Sequence, residues 1–331
     1  MPELQINNSL KFLRTVLPTT RILQLKKIIK EFSPEVVNIH GYGLLFINQC
    51  ANILIKLNIP YLYTLHGAPV TPGKLKGPIG IAYNLYNRTL GKKILQNATQ
   101  ISAVSDFTKK FPEFYEYESK IRTIPNGINC DELISEKIEK LNPFDIYTNG
   151  KNQIIFFSIG RLEWLKGFQL FFNCLGELKK NNIDFVYLIA GDDNGYKKEL
   201  ESFSQELGLQ NNIHFIGKAD FHTKCQYYFY TDFVVVPSII ENFPAVPLEA
   251  LSFKKIVLAN NAGGIPEIIK NNENGFLFEM DNYNTTSKKL VEIIKNKALL
   301  KKIKDNININ QYDWKYIAKL YENELRKIVN E

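Results

Sequence analysis

The segment QIIFFSIGRLEWLKGFQLF, residues 153–171, changes character twice. A run of β-branched and aromatic residues ends at Gly160. A polar loop with Arg161 and Lys166 follows, and beyond Gly167 the apolar residues recur at helical spacing. A strand giving way to a helix through a short loop is the repeating unit of parallel α/β sheets.

The pattern continues outward. Strands are predicted at 185–190 (FVYLIA), 213–216 (IHFI), 233–236 (FVVV), 255–259 (KIVLA) and 275–278 (GFLF), with helices over 168–181, 196–208, 224–231, 246–253 and 265–270. With 153–159 this makes six strands, a complete doubly wound sheet. The first half offers four: 36–39 (VVNI), 61–65 (YLYTL), 100–104 (QISAV) and 121–124 (IRTI). The polar stretch 132–152, with a Pro and a Gly, reads as the linker. The tail 312–330 has a helical pattern with Tyr312, Trp314 and Ile317 near its start. The expected organisation is α/β: a first Rossmann-like domain over 1–140, a second over 141–311, and a C-terminal helix, 312–331, packing back towards the first.

Ligands of open α/β sheets bind where the carboxyl ends of the strands meet their loops. His40-Gly41, His66-Gly67, Ser105 and Pro125-Asn126-Gly127 follow the first four strands; Gly160-Arg161, Gly191-Asp192, Gly217-Lys218 and Pro237-Ser238 follow strands of the second set. Two such edges facing each other would form one interdomain site.

Length and composition agree with two ordinary globular domains: 331 residues, 45% hydrophobic and 23% charged. No run reaches the length of a membrane span, and the opening MPELQINNSLK lacks the order of a signal peptide. A cytoplasmic protein is the reading. Cys50, Cys130, Cys174 and Cys225 are too scattered for a C-x-x-C pair. Charge is uneven: residues 1–110 carry 14 Lys and Arg against 4 Asp and Glu, whereas 111–331 carry 27 against 30. A basic first half suits nucleic acid, phosphorylated substrates or an anionic membrane surface. Without a zinc-finger spacing or an aromatic RNA-binding signature, nucleic acid is disfavoured. Two stretches, 9–32 and 74–93, mix Leu and Ile with Lys and Arg, as a membrane-lying helix does and as the solvated face of a core-packed helix also does.

Arg161 and Lys166 have the chemistry to hold a diphosphate, the guanidinium bidentately and the ammonium as a point charge. Gly160 and Gly167 let the backbone approach, although neither a P-loop nor a G-x-G-x-x-G pattern is present. In PSIIENFPAVPLEALSF, residues 237–253, Glu241 and Glu249 stand eight apart. A carboxylate accepts hydrogen bonds from vicinal hydroxyls, so this pair suits a ribose and a sugar. A glutamate in a first helical turn is also favoured by the helix dipole alone.

The ordered series GRLEWLKG, LIAGDDN, IHFIG, ENFPAVPLEA, NNAGGIPEII and NENGFLF, preceded by AVSDF and TIPNGIN, resembles the retaining glycosyltransferases of family 4, whose GT-B fold sets two Rossmann-like domains face to face. The resemblance implies a nucleotide-diphosphate sugar donor. Gly160, Arg161 and Lys166 would meet the diphosphate, Glu249 the ribose, Glu241 with Asn242 and Phe243 the donor sugar, and backbone near Gly217 the base. His66 in YTLHG would stand close to the transferred sugar. It implies displacement at the anomeric carbon with retention: the acceptor hydroxyl bonds to that carbon from the face the diphosphate leaves, and its proton passes to the departing phosphate oxygen. Neither flanking carboxylates nor a metal would be needed; the only adjacent acidic pair of that sort, Asp192-Asp193, lacks the D-x-D spacing. The acceptor would be a saccharide or a lipid-linked one in cell-surface polysaccharide synthesis, placing the protein at the inner face of the plasma membrane. The family's opening strand, Gly-Gly loop and helix have no counterpart here, so the first domain is expected to be incomplete and turnover impaired. Other readings are a non-catalytic partner that binds nucleotide sugar, and an epimerase or phosphorylase of the same fold.

Overall fold

The computed structural model describes residues 20–67, 77–148 and 153–330. They form two compact units: the chain up to Pro125 together with the residues from Ile317 onward, and Asn126–Tyr316. The chain therefore leaves its first unit ahead of the polar stretch 132–152.

In the first unit four parallel strands lie side by side in chain order: β1 (Val37–His40), β2 (Tyr61–Leu65), β3 (Gln100–Ala103) and β4 (Ile121–Thr123). They are the four that the apolar runs predict. β2 is buried along its whole length, which is why it reads YLYTL without alternation. Its one polar residue is satisfied sideways: the Thr64 hydroxyl donates to Asn38 Oδ1 (2.9 Å) and meets Ser102 Oγ (2.8 Å), tying β1, β2 and β3 together. The accompanying helices are α1 (Thr20–Phe32), α2 (Leu45–Leu57), α3 (Gly77–Tyr86), α4 (Lys92–Asn97) and α5 (Asp106–Lys109), with a π-turn, Asn87–Gly91, joining α3 to α4. Residues 9–19 of the first basic stretch, and Lys74 and Lys76 of the second, lie outside the described residues.

The second unit has six parallel strands: β5 (Ile154–Ile159), β6 (Phe185–Ala190), β7 (Ile213–Gly217), β8 (Phe233–Val236), β9 (Ile256–Asn260) and β10 (Gly275–Phe278). Their order is β10-β9-β8-β5-β6-β7. The direction of winding reverses where β5 pairs with β8 through Phe156 and Phe157. The first sheet has no such reversal among its described strands. The helices are α6 (Cys130–Ser135), α7 (Asp145–Thr148), α8 (Phe168–Lys180), α9 (Lys197–Glu206), α10 (Phe221–Tyr230), α11 (Ala245–Ser252), α12 (Ile265–Ile268), α13 (Tyr283–Lys295) and α14 (Lys297–Asn306). A last helix, α15 (Trp314–Asn330), begins in this unit and from Ile317 counts with the first.

The stretch expected as a linker is packed instead. Gln226 on α10 accepts from the Glu139 N–H (2.9 Å) and donates to the Lys137 carbonyl (2.8 Å), and buried Phe144 stacks on Tyr227 at 5.1 Å. Its polar composition hid two apolar anchors, Leu133 and Phe144, that seat α6 and the turn before α7. Residues 149–152 lie outside the described set.

Candidate functional site

At the reversal point of the six-stranded sheet the loops after β5 and β8 meet, and such a point is where α/β sheets place their ligands. The β5 loop is pinned to the end of β6 by Gly160 N–H to Ala190 O and Leu162 N–H to Asp192 O, both 2.9 Å. It then tightens into a 3₁₀ turn, Trp164–Lys166, and reverses at Gly167, whose φ of 68° favours glycine. A Cβ there would lie 2.0 Å from the Pro237 carbonyl oxygen, so only glycine lets the loops close on each other. Ile239 N–H to Leu165 O (2.9 Å) completes the junction. On its other side the β8 loop meets Gly263, where a Cβ would stand 2.1 Å from the Glu241 carbonyl oxygen.

This junction brings Lys166 and Glu241 together. Lys166 Nζ donates to Glu241 Oε1 at 2.6 Å, and Ser238 Oγ donates to the same oxygen at 3.0 Å. The pair lines a cavity of about 140 Å³ with Ser158, Pro244 and Ala245. Ala245 begins α11, whose N-cap, Pro244, supplies no side-chain hydrogen bond. The first N–H groups of α11 thus lack a side-chain cap beside an ammonium, which together favour an anion.

The other predicted residues are placed as follows. Arg161 is exposed, and its Nη2 pairs with Glu163 Oε1 at 3.0 Å rather than with Glu241. Glu249 is held from α10: Oε1 accepts from Lys224 Nζ (2.6 Å) and Oε2 from the Tyr228 hydroxyl (2.7 Å). Burial first, and then the Glu249 charge, raise the Tyr228 phenol well above its ordinary range, so it stays a donor. A carboxylate has about four lone-pair positions, so Glu249 retains acceptor capacity. Phe243 is buried against Tyr312, and its carbonyl accepts from Asn126 Nδ2 (3.1 Å). Asn242 is half-buried beside it. Gly217 ends β7 with φ 76° and gives its carbonyl to Gly191 N–H (2.8 Å). Asp193 Oδ1 accepts the N–H groups of Lys197, Gly195 and Tyr196, which lower its pKa and hold the turn that leads into α9, while Asp192 pairs with Lys218 at 3.4 Å.

In the first unit His66, past β2, lies with its Nε2 2.9 Å from Nδ1 of His40, at the end of β1. Tyr321 of α15 sets its ring 5.9 Å from that of His40, and its hydroxyl interacts with Thr64 and Ser102. Burial lowers the pKa of both histidines, and for His40 the neighbouring His66 adds to it. Sequence reading gives His40 no role, although the endings NIHG and TLHG on adjacent parallel strands were a signal for the pair. Lys224, Tyr228 and Ser238 had no such signal: their link to the glutamates arises from how the α10 face and the β8 loop pack.

A family profile described as Glycosyl transferases group 1 matches residues 141–309, and one described as Glycosyltransferase Family 4 matches 3–132. An uncharacterized glycosyltransferase of Methanocaldococcus jannaschii is 28% identical over 285 residues, covering 85% of this chain and 71% of the relative. The Escherichia coli UDP-Gal:alpha-D-GlcNAc-diphosphoundecaprenol alpha-1,3-galactosyltransferase is 23% identical over 291 residues, covering 84% and 71%. A solved glycosyltransferase from Rickettsia africae superposes with a TM-score of 0.74 at 24% identity over 99% of this chain and 84% of that one. Anabaena HepE in complex with UDP gives 0.73 at 19% over 92% and 82%. These likenesses, with the two parallel sheets, identify the fold as GT-B. With just over half its length matched by the first profile, the chain belongs to the group 1 glycosyl transferases.

Proposed function

We propose that the chain transfers a hexose from a nucleotide-diphosphate sugar to a saccharide or lipid-linked acceptor with retention of anomeric configuration. The observation that carries this reading is the Lys166–Glu241 contact at the reversal point of the sheet, beside the α11 N-terminus that no side chain caps. An anion entering there takes Lys166 as a charge-assisted partner and frees Glu241 to accept hydrogen bonds from hydroxyls. Lys166, Arg161 and the first N–H groups of α11 then stabilise charge on the leaving diphosphate, so no metal is required. Glu249 takes the ribose diol, Glu241 the donor sugar with backbone at Asn242 and Phe243, and backbone around Gly217 the base. His66 acts at the transferred sugar.

The names of two similar proteins support the donor class: the Escherichia coli relative is a UDP-Gal transferase, and HepE has been solved with UDP-glucose. The acceptor of the former, a diphosphoundecaprenol, supports a lipid-linked acceptor in cell-surface polysaccharide synthesis. A protein working from the cytoplasm at the inner membrane face fits it, and no described helix is long and apolar enough to cross a membrane. Calorimetric titration with UDP and GDP tests the clamp. Binding by the wild type and a loss of roughly tenfold or more in Lys166→Ala is expected. Unchanged affinity in the variant overturns the assignment. Turnover of UDP-sugars or GDP-sugars with a polyprenyl-diphosphate saccharide, followed by NMR of the product's anomeric proton, tests transfer and retention.

A further inference from the structure

The helix α3 (GPIGIAYNLY) contains no charged residue and a single amide, Asn84, and a helix so largely apolar is normally buried. This one is covered on one side only. Gly80 is buried; Tyr86 donates to Asn48 Oδ1 at 3.0 Å and accepts from the Gly43 N–H at 3.3 Å. The other side is open: Ile81 is 71% exposed, Leu85, one turn on, 61%, and Leu90 in the π-turn 41%. Arg88 follows at helical spacing, with Lys92 and Lys93 in the next turn, and residues 77–97 contain no Asp or Glu. Of these cations Lys92 pairs with Glu116 at 3.1 Å, and no ion pair is drawn to Arg88 or Lys93 among the described residues.

We infer that the Ile81–Leu85–Leu90 face, edged by Arg88 and Lys93, docks on an anionic phospholipid surface. An apolar strip bordered by cations, with Glu116 neutralised by Lys92, matches the depth profile of a leaflet, with acyl chains beneath phosphate headgroups. Leu141 and Ile146 in the second unit are as exposed, yet Glu139 and Asp145 offset Lys137 and Lys140 around them, which leaves no net positive charge to draw an anionic surface. The inference extends the reading of a lipid-linked acceptor by naming where the membrane is met. Its test needs neither donor nor acceptor, so the two can fail separately.

Co-sedimentation of the full chain with vesicles of phosphatidylglycerol and phosphatidylethanolamine in equal parts, against phosphatidylcholine alone, is the experiment. Binding to the anionic vesicles that weakens with salt is expected. It should fall about fivefold for each of Arg88→Gln and Lys93→Gln, and at least about tenfold in Ile81→Glu/Leu85→Glu. Leu141→Glu/Ile146→Glu should bind like the wild type. Circular dichroism and melting temperature verify that the variants are folded. Equal binding to both vesicle types, or full binding by Ile81→Glu/Leu85→Glu, overturns the inference. So does self-association of the wild type that this double variant abolishes, since a second copy would then be the cover.

Discussion

Two lysine–glutamate pairs in the second unit have the same length and opposite situations. Lys166–Glu241 and Lys224–Glu249 both close at 2.6 Å, with side chains 26% and 18% exposed in the first and 19% and 15% in the second. Distance and exposure do not separate them; surroundings do. Lys166 and Glu241 belong to two loops held together by Gly167 and line a cavity next to the first N–H groups of α11. Lys224 and Glu249 bridge the sides of α10 and α11, and Glu249 is gripped a second time by buried Tyr228. A ligand can replace the first pair's partner with its own anion. Replacing the second would strip a hydrogen bond from a buried phenol. The E-x7-E spacing delivers two glutamates of the same type, and packing gives them different duties.

The sharpest separation is expected for Glu241→Gln. The amide keeps the volume and an acceptor for Ser238 but loses the charge that competes with a diphosphate for Lys166. Affinity for free UDP or GDP should hold or improve, while the transfer rate falls by roughly 10²–10³ if Glu241 orients the sugar in the transition state. Titration calorimetry and initial rates on one preparation measure both. A parallel loss of binding and rate would mean that Glu241 serves only the fold.

The two lysines should then part company by readout. Lys166→Ala should weaken nucleoside diphosphate binding by about 1.5–3 kcal/mol with a smaller change in melting temperature. Lys224→Ala should lower folding stability by about 1–3 kcal/mol, because it deprives a largely buried carboxylate of its cation, and should leave nucleotide affinity within roughly tenfold of the wild type. Urea unfolding and calorimetry distinguish these outcomes. If both lysines lose affinity equally, the difference drawn between the pairs is wrong. Arg161→Ala should fall below both, about 0.5–1.5 kcal/mol in affinity, since its exposed guanidinium is shared with Glu163 and screened by solvent.

The parts legible in the sequence were those set by local periodicity and chain order. The ten described strands follow from apolar runs, most of which end at Gly, Pro, Asn or His, and the central ones, buried on both faces, carry no alternation to confuse them. The loop after β5 was legible because Gly160 and Gly167 mark close approach, and the loop after β8 because Pro237 ends the apolar run. What stayed hidden depends on non-local packing. Lys224 lies 25 residues from Glu249 and reaches it only because α10 lies against α11. The polar composition of 132–152 suggested a free linker, whereas Leu133 and Phe144 anchor it. The His40–His66 contact requires that β1 and β2 be neighbours, which the order of the first sheet supplies and neither HG dipeptide alone reveals.

The smallest effect is expected from that third close pair, which has no opposite charge to bind it. His40 and His66 have lowered pKa values in the folded state, by burial and, for His40, by its neighbour as well. Each therefore binds fewer protons folded than unfolded, so protonation favours the unfolded chain. Stability from this source is full above the unfolded value of 6.5 and is lost as pH falls from there through the lowered folded value. Replacing His40 by glutamine removes one titrating ring and the repulsion it shares with His66, while an amide can still meet His66 Nε2. The wild type should thus lose more melting temperature between pH 7.5 and 5.5 than His40→Gln, with every other titrating group cancelling in the difference. The Tyr321 ring against His40 should limit the gain, because the variant gives up that ring contact at all pH values. Differential scanning calorimetry at the two pH values reads the effect. Identical slopes in the two proteins would show that the pair is solvated well enough to carry its charge without cost, and that only the lysine–glutamate pairs respond to their surroundings.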